Sequence, residues 1–432
     1  VWPSLNRSAR LTANGIWHGQ EIAIEASASA PLLLLAGGES TVGLSLKSGL
    51  VEAGFDGKAN FSGDAYFEGP AKVSSPSIRR LLEWSNTQLV PGEAIGAMSV
   101  TSQIQGNAKR LRLDQTKLTL GDNTGRGVLD LSFTDPVPAI SGTLAFDKFD
   151  FYSFLAAFTP AVSGFGSLYD PIGSAFAEQL SLDLRLSSAS GSFGTMTMSN
   201  VAASAQIKGE LTAFDISDAT VFGGEVQAGF RIDGSDGEKA VEARLMATNI
   251  DVRALAKAAG AEHFLPQGRA TFTVALKGAG DDWSEALSVA EGSATASLGQ
   301  GAIAGFDLTR FRTLWEEGSF FPLSDTEGGS LPLRNIDFKA RIADGVARIE
   351  KADIQLEQKM TISLAGVIHY LGQALALSGY FMPQDDTATT SESEDTSQVQ
   401  AQMPFFVGGS WDDPFIAPAT VEPGFSDYPG AQ

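Results

Sequence analysis

Apolar and polar residues alternate with a period of two over much of the chain, the spacing that sends successive strand side chains to opposite faces. Leu182-Asp183-Leu184-Arg185-Leu186 alternates without a break. Leu129, Leu131 and Phe133 interleave with Asp130 and Ser132, and Phe272, Val274 and Leu276 with Thr271, Thr273 and Ala275. Ala352, Ile354 and Leu356 alternate with Asp353, Gln355 and Glu357, and Ile362, Leu364 and Ile368 continue the habit. Between the runs stand turn formers: Gly121-Asp122-Asn123, Gly234-Ser235-Asp236-Gly237 and Ala343-Asp344-Gly345. The pattern predicts a mainly β protein, a large and mostly antiparallel sheet with one oily and one wet face.

Short helices are expected to interrupt it. Ser75-Pro76 reads as an N-cap with proline at the first helical position, ahead of Ile78, Leu81 and Leu82. Asp150 precedes Phe151, Phe154, Leu155 and Phe158; Asp251 precedes Val252, Leu255 and Ala258, with a stop at Gly260. Asp307 precedes Leu308, Phe311, Leu314 and Trp315, with a stop at Gly318, and a fifth candidate begins at Asp170-Pro171. The recurring unit of strand, Asp cap, short helix and strands suggests an elongated body assembled from similar pieces, with a few short capped α-helices. The apolar faces then form either an ordinary core beneath the capped helices or, since so few helices cannot cover so many strands, an open trough of the kind that marks a binding surface. The candidate lining is Leu129, Leu131, Phe133, Leu182, Leu184, Leu186, Phe272, Val274, Leu276, Ile362, Leu364 and Ile368.

Composition narrows the chemistry. Among 432 residues, 43% hydrophobic content supplies a core, while 30 basic against 51 acidic residues give −21 and argue against a nucleic-acid partner. The absence of cysteine excludes disulfides, thiolate metal sites and thiol nucleophiles. The longest aliphatic run, Leu32 to Leu35, is far short of a membrane-spanning helix. Gly299-Gln300-Gly301-Ala302-Ile303-Ala304 loosely matches a dinucleotide fingerprint, with Asp325 at about ribose distance. The next helix, however, starts behind Asp307, whose carboxylate would repel a phosphate, so a turn is expected there. His18, His263 and His369 are scattered, and the pairs Asp281-Asp282 and Asp412-Asp413 read as turn formers. No catalytic, metal-binding or cofactor-binding residue is expected, and the chain is read as a non-enzyme.

The chain closes with Met403-Pro404-Phe405-Phe406-Val407-Gly408-Gly409-Ser410-Trp411-Asp412-Asp413-Pro414, which resembles the C-terminal signature of the bacterial AsmA family. Gly292-Ser293-Ala294 through Gly301-Ala302-Ile303-Ala304-Gly305-Phe306-Asp307-Leu308 is similar to a second family segment. Asn335-Ile336-Asp337-Phe338 through Ala343-Asp344-Gly345-Val346 is similar to a third, and Phe61-Ser62-Gly63 to Trp84 and Phe149-Asp150 fit more loosely. The resemblance implies a periplasmic protein of outer-membrane biogenesis, held to the inner membrane by an N-terminal helix upstream of Val1. It implies an architecture similar to bridge-like lipid-transfer proteins, an elongated, curled, trough-like sheet with phospholipid held or conducted in its hydrophobic groove between membranes. The alternative is a non-enzymatic scaffold or chaperone-like factor, with envelope assembly proteins as partners. The expected divisions are 1–60, the end of an upstream β region; 61–383, the repetitive β and short-helix body; 384–400, an acidic disordered loop; and 401–432, the closing strand and tail.

Overall fold

The alternating segments do form strands. The computed structural model of the chain describes residues 8–84, 96–158, 168–172, 180–235, 237–383 and 403–419. Among them are 25 strands and six α-helices: α1 (Pro31–Leu35), α2 (Ile78–Trp84), α3 (Phe151–Phe158), α4 (Val252–Ala258), α5 (Trp283–Ser288) and α6 (Leu308–Glu316). The protein is mainly β, with a large and mostly antiparallel sheet and a few short helices, as the alternation predicts. The chain divides into two compact units, one of Val1–Thr220, Gly229–Ala240 and Asp281–Trp283, the other of Val221–Ala228, Val241–Gly280 and Ser284–Gln432.

In the first unit, nine strands pair antiparallel in chain order, from Ala9–Trp17 to Ala139–Asp150. Ser181–Phe193 then lies parallel to Ala139–Asp150, Leu182 opposite Ile140, and pairs antiparallel with Met196–Lys208. A parallel neighbour cannot be reached through a tight turn, and the intervening chain carries α3. In the second unit, the 17-residue strand Glu327–Ala343 serves two partners along one of its edges. Its first half pairs with Gly301–Phe306 and its second half with Glu291–Leu298. Consecutive antiparallel strands follow from it to Pro414–Pro418.

Local chemistry sets the helix ends. Asp251 accepts from the amides of Arg253 and Ala254, and Asp307 from those of Thr309 and Arg310. Asp150 accepts from the Ser153 amide. Gly260 and Gly318, at φ +83° and +76°, end α4 and α6 in the left-handed conformation that suits glycine. The expected Ser75 cap is corrected: α2 starts at Ile78, and Ser77 Oγ accepts from the Arg80 amide. Ser75 Oγ instead accepts from the Ser77 amide and donates to its carbonyl, forming the turn before the helix. The candidate helix after Asp170-Pro171 runs into 173–179, outside the described residues, as does the acidic segment 384–400.

The glycine fingerprint is a strand edge. Gly301 opens the strand Gly301–Phe306, opposite Leu333, and no helix begins there. Asp344 and Gly345, at φ +52° and +73°, make the predicted tight hairpin turn.

Candidate functional site

Cross-strand register assembles the alternating residues into long rows. In the first unit, Leu11, Ala26, Leu44, Phe55, Ala71 and Ser102 stand opposite one another on six successive strands. A neighbouring row runs Ala13, Ile24, Leu46, Ala53, Val73, Val100 and Leu118. Further along the same face, Ile104, Leu113, Leu129, Gly142, Leu184 and Ala205 face one another in turn. The intervening positions build the other face: Glu68, Gln105, Arg112, Asp130, Ser141 and Asp183 form one cross-strand row. Arg112 there pairs with Asp114 at 3.0 Å and with Asp130 at 3.6 Å. One face is hydrocarbon and the other ionic.

The apolar face is covered unevenly. Leu11, Leu44 and Ile24 are 64, 44 and 37% exposed, whereas Leu182, Leu184 and Leu186 are buried. Near that buried end, Phe151 of α3 packs against Phe149 and Phe214, with ring centroids 4.9 and 6.3 Å apart. Exposed leucine and isoleucine on adjacent strands leave apolar surface in water, at a cost of about 25 cal/mol per Å².

The second unit shows the same division. Val274, Ala294, Ala340, Ile349, Gly366, Leu377, Val407 and Ile416 form one row. Over part of this face lies α6, whose Phe311 is buried among Phe306, Phe321, Phe381 and Phe405 at centroid separations of 5.1–5.9 Å. Trp315 Nε1 donates to the Pro404 carbonyl at 2.8 Å and fixes the far end of the helix. A second cluster, Ile349, Ala352 and Leu377 with Phe338, Leu364, Ile368 and Val407, contains no helical residue.

The twelve candidate lining residues therefore fall into different settings. Leu129, Leu182, Leu184 and Leu186 are core, brought together through Gly142, Ile140 and Leu144, and Leu131 is half-buried beside them. Phe133 lies just past its strand, exposed, with its amide bonded to the Lys109 carbonyl. Phe272, Val274 and Leu276 are half-buried along one strand face. Ile362 is buried in the α6 cluster, Leu364 touches both clusters, and Ile368 belongs to the cluster without a helix. The more open surface, Leu11, Ile24 and Leu44, lies in the first sixty residues, where the alternation Glu21-Ile22-Ala23-Ile24-Glu25 was the available signal.

Two of the shifted titrations lie in ion pairs of exposed side chains. The Lys339 ammonium, 2.7 Å from Glu350, holds the Glu350 carboxyl below its ordinary value, and the hydrogen bond from Lys58 to Glu39 raises the lysine. His18 Nδ1 lies 2.9 Å from the Trp84 carbonyl and His263 Nδ1 lies 2.8 Å from Glu327. Among the described residues no group of three or more His, Asp and Glu is placed to hold a metal ion. None of their helices is long and apolar enough to cross a membrane.

The AsmA family model matches residues 168–352. No curated protein and no solved structure matches the chain. The matched stretch takes in the segments at Gly292–Leu308 and Asn335–Val346 that carry the resemblance, and through this region the chain is similar to the AsmA family.

Proposed function

We propose that this protein holds or conducts phospholipid along its apolar sheet face, as a non-enzymatic component of bacterial envelope maintenance and outer-membrane biogenesis. In this reading it works in the periplasm, tethered to the inner membrane by a helix upstream of Val1. Acyl chains lie across rows of the apolar face such as Leu11-Ala26-Leu44 while headgroups stay in water. The observation that supports it is the exposure of Leu11, Ile24 and Leu44 on three adjacent strands of an otherwise amphipathic sheet. Each methylene that settles there contributes about 0.8 kcal/mol, so eight contribute roughly 6 kcal/mol before ordering costs. Movement along the face is passive, driven by lipid gradients or partner proteins.

Photo-crosslinking residues at Leu44 and Val274 are expected to capture glycerophospholipid in cells, and those at Thr101 and Thr273, on the opposite face, to capture none. Equal labelling of both faces refutes a one-sided lipid surface. Envelope proteins co-purifying without lipid would instead favour a scaffold for outer-membrane protein assembly.

A further inference from the structure

One edge of the first unit carries more exposed hydrocarbon than its own packing uses. Leu34 of α1 is 7% exposed and packs with Val42, Phe55 and Ala59, with Phe67, Ala71 and Ile104 around them. It joins the helix to the apolar sheet face. Leu32, Leu33 and Leu35 turn outward instead, 51, 45 and 77% exposed. The same edge holds Phe61: it follows Asn60, which faces Glu39 at the start of the strand after α1. A Cβ on Gly37, just past α1, would stand 3.3 Å from Ser62 Cβ, so the helix end and the Phe61 loop are contiguous. Phe61 is exposed yet edge-on to Phe67 at 6.2 Å, and Phe67 meets Phe55 at 6.0 Å. Hydrocarbon thus runs unbroken from the exposed leucines to the apolar rows.

The lysines beside this patch are paired. Lys58 pairs with Glu39 at 2.9 Å and Lys109 with Asp64 at 3.2 Å. With −21 over the whole chain, an anionic surface is repelled at long range, whereas a zwitterionic one is not. We propose that α1 and the Phe61 loop form a membrane-inserting rim that docks this edge of the sheet on a bilayer of zwitterionic phospholipid, the route by which acyl chains enter or leave the apolar rows. This rests on the lipid-holding reading above. Leucine and phenylalanine side chains exposed together at one edge supply the apolar area that interfacial insertion buries.

The test is flotation of the full chain with phosphatidylcholine vesicles, alongside native mass spectrometry of the lipid it carries. The triple variant Leu32→Ser/Leu33→Ser/Leu35→Ser is expected to lose roughly a hundredfold in vesicle partitioning, while its count of bound lipid and its denaturation midpoint stay those of the parent. Phe61→Ser, which leaves α1 intact, is expected to lose severalfold. Ile16→Ser is the control: Ile16 is 76% exposed near the opposite end of its strand, and its loss should change nothing. Replacing a third of the lipid with an anionic species at low salt should weaken flotation. A parent that does not float, a triple variant that floats as well as the parent, or stronger binding to anionic vesicles overturns the rim. A parent that floats through α1 but never carries lipid keeps the rim and removes the lipid-holding reading.

Discussion

Leu44→Asp separates an open apolar face from an ordinary core. Leu44 is 44% exposed, so folding buries only about half its side chain. Full burial of leucine stabilises by about 1.5–3 kcal/mol, so truncation at this site costs about 1 kcal/mol of folding free energy. The carboxylate remains within reach of water and adds little to that. For a bound acyl chain the balance differs. Occupancy would cover the carboxylate with hydrocarbon, and burying an unpaired charge costs several kcal/mol even after relaxation. Local lipid affinity should therefore fall by two or more orders of magnitude while the denaturation midpoint moves only slightly. Thr101→Asp is the matched control, because Thr101 lies on the other face between Lys72 and Lys117. Its lipid count and midpoint should both hold. Native mass spectrometry counts the lipids and denaturant titration reads the stability. A Leu44→Asp protein that keeps its full lipid complement, or that unfolds as a core variant would, refutes the argument.

Phe311→Ala removes a fully buried ring contacting four others and should cost the second unit about 3–5 kcal/mol, read as a lower denaturation midpoint. Asp307→Ala deletes a cap that satisfies two amides and should cost about 1 kcal/mol; Asp307→Asn should restore most of it. The Asp233 carboxyl is held down to about 2 by hydrogen bonds from Ser235 and Arg231. Since the folded value lies below the ordinary 3.8, its stabilising contribution is present above 3.8 and is lost as pH falls through about 2. Side-chain NMR titration should find that low midpoint, and Ser235→Ala should raise it.

What could be read from the chain was local, and what was missed depends on distant partners. The Asp150, Asp251 and Asp307 caps were legible because a carboxylate two or three residues from the amides it serves needs no tertiary information. α1 has no such signal. No side chain caps it at Ala30; Ser40 Oγ, ten residues on, accepts from the Ala30 amide. The parallel pairing of Ala139–Asp150 with Ser181–Phe193 is equally nonlocal. Alternation identified the apolar faces but not their covers. Leu182-Asp183-Leu184 and Glu21-Ile22-Ala23-Ile24-Glu25 follow the same rule, yet the leucines of the first are buried and Ile24 of the second is substantially exposed.

That difference carries the functional argument further than the alternation does. A sheet whose only purpose was to make a core would cover its apolar residues in proportion to their number, and each helix would take its share. Instead α3 and α6 concentrate aromatic side chains on limited stretches, Phe151 with Phe149 and Phe214 in one unit and Phe311 with four phenylalanines in the other. Coverage does not extend to Leu11, Ile24 and Leu44. The anchored stretches supply the folding free energy, and the strands beyond them hold the same backbone register without covering hydrocarbon. In the proposed reading, stability and lipid contact fall on different lengths of the same faces. Loss of an anchor should lower the unfolding midpoint before it changes lipid binding, and loss of an open leucine should do the reverse.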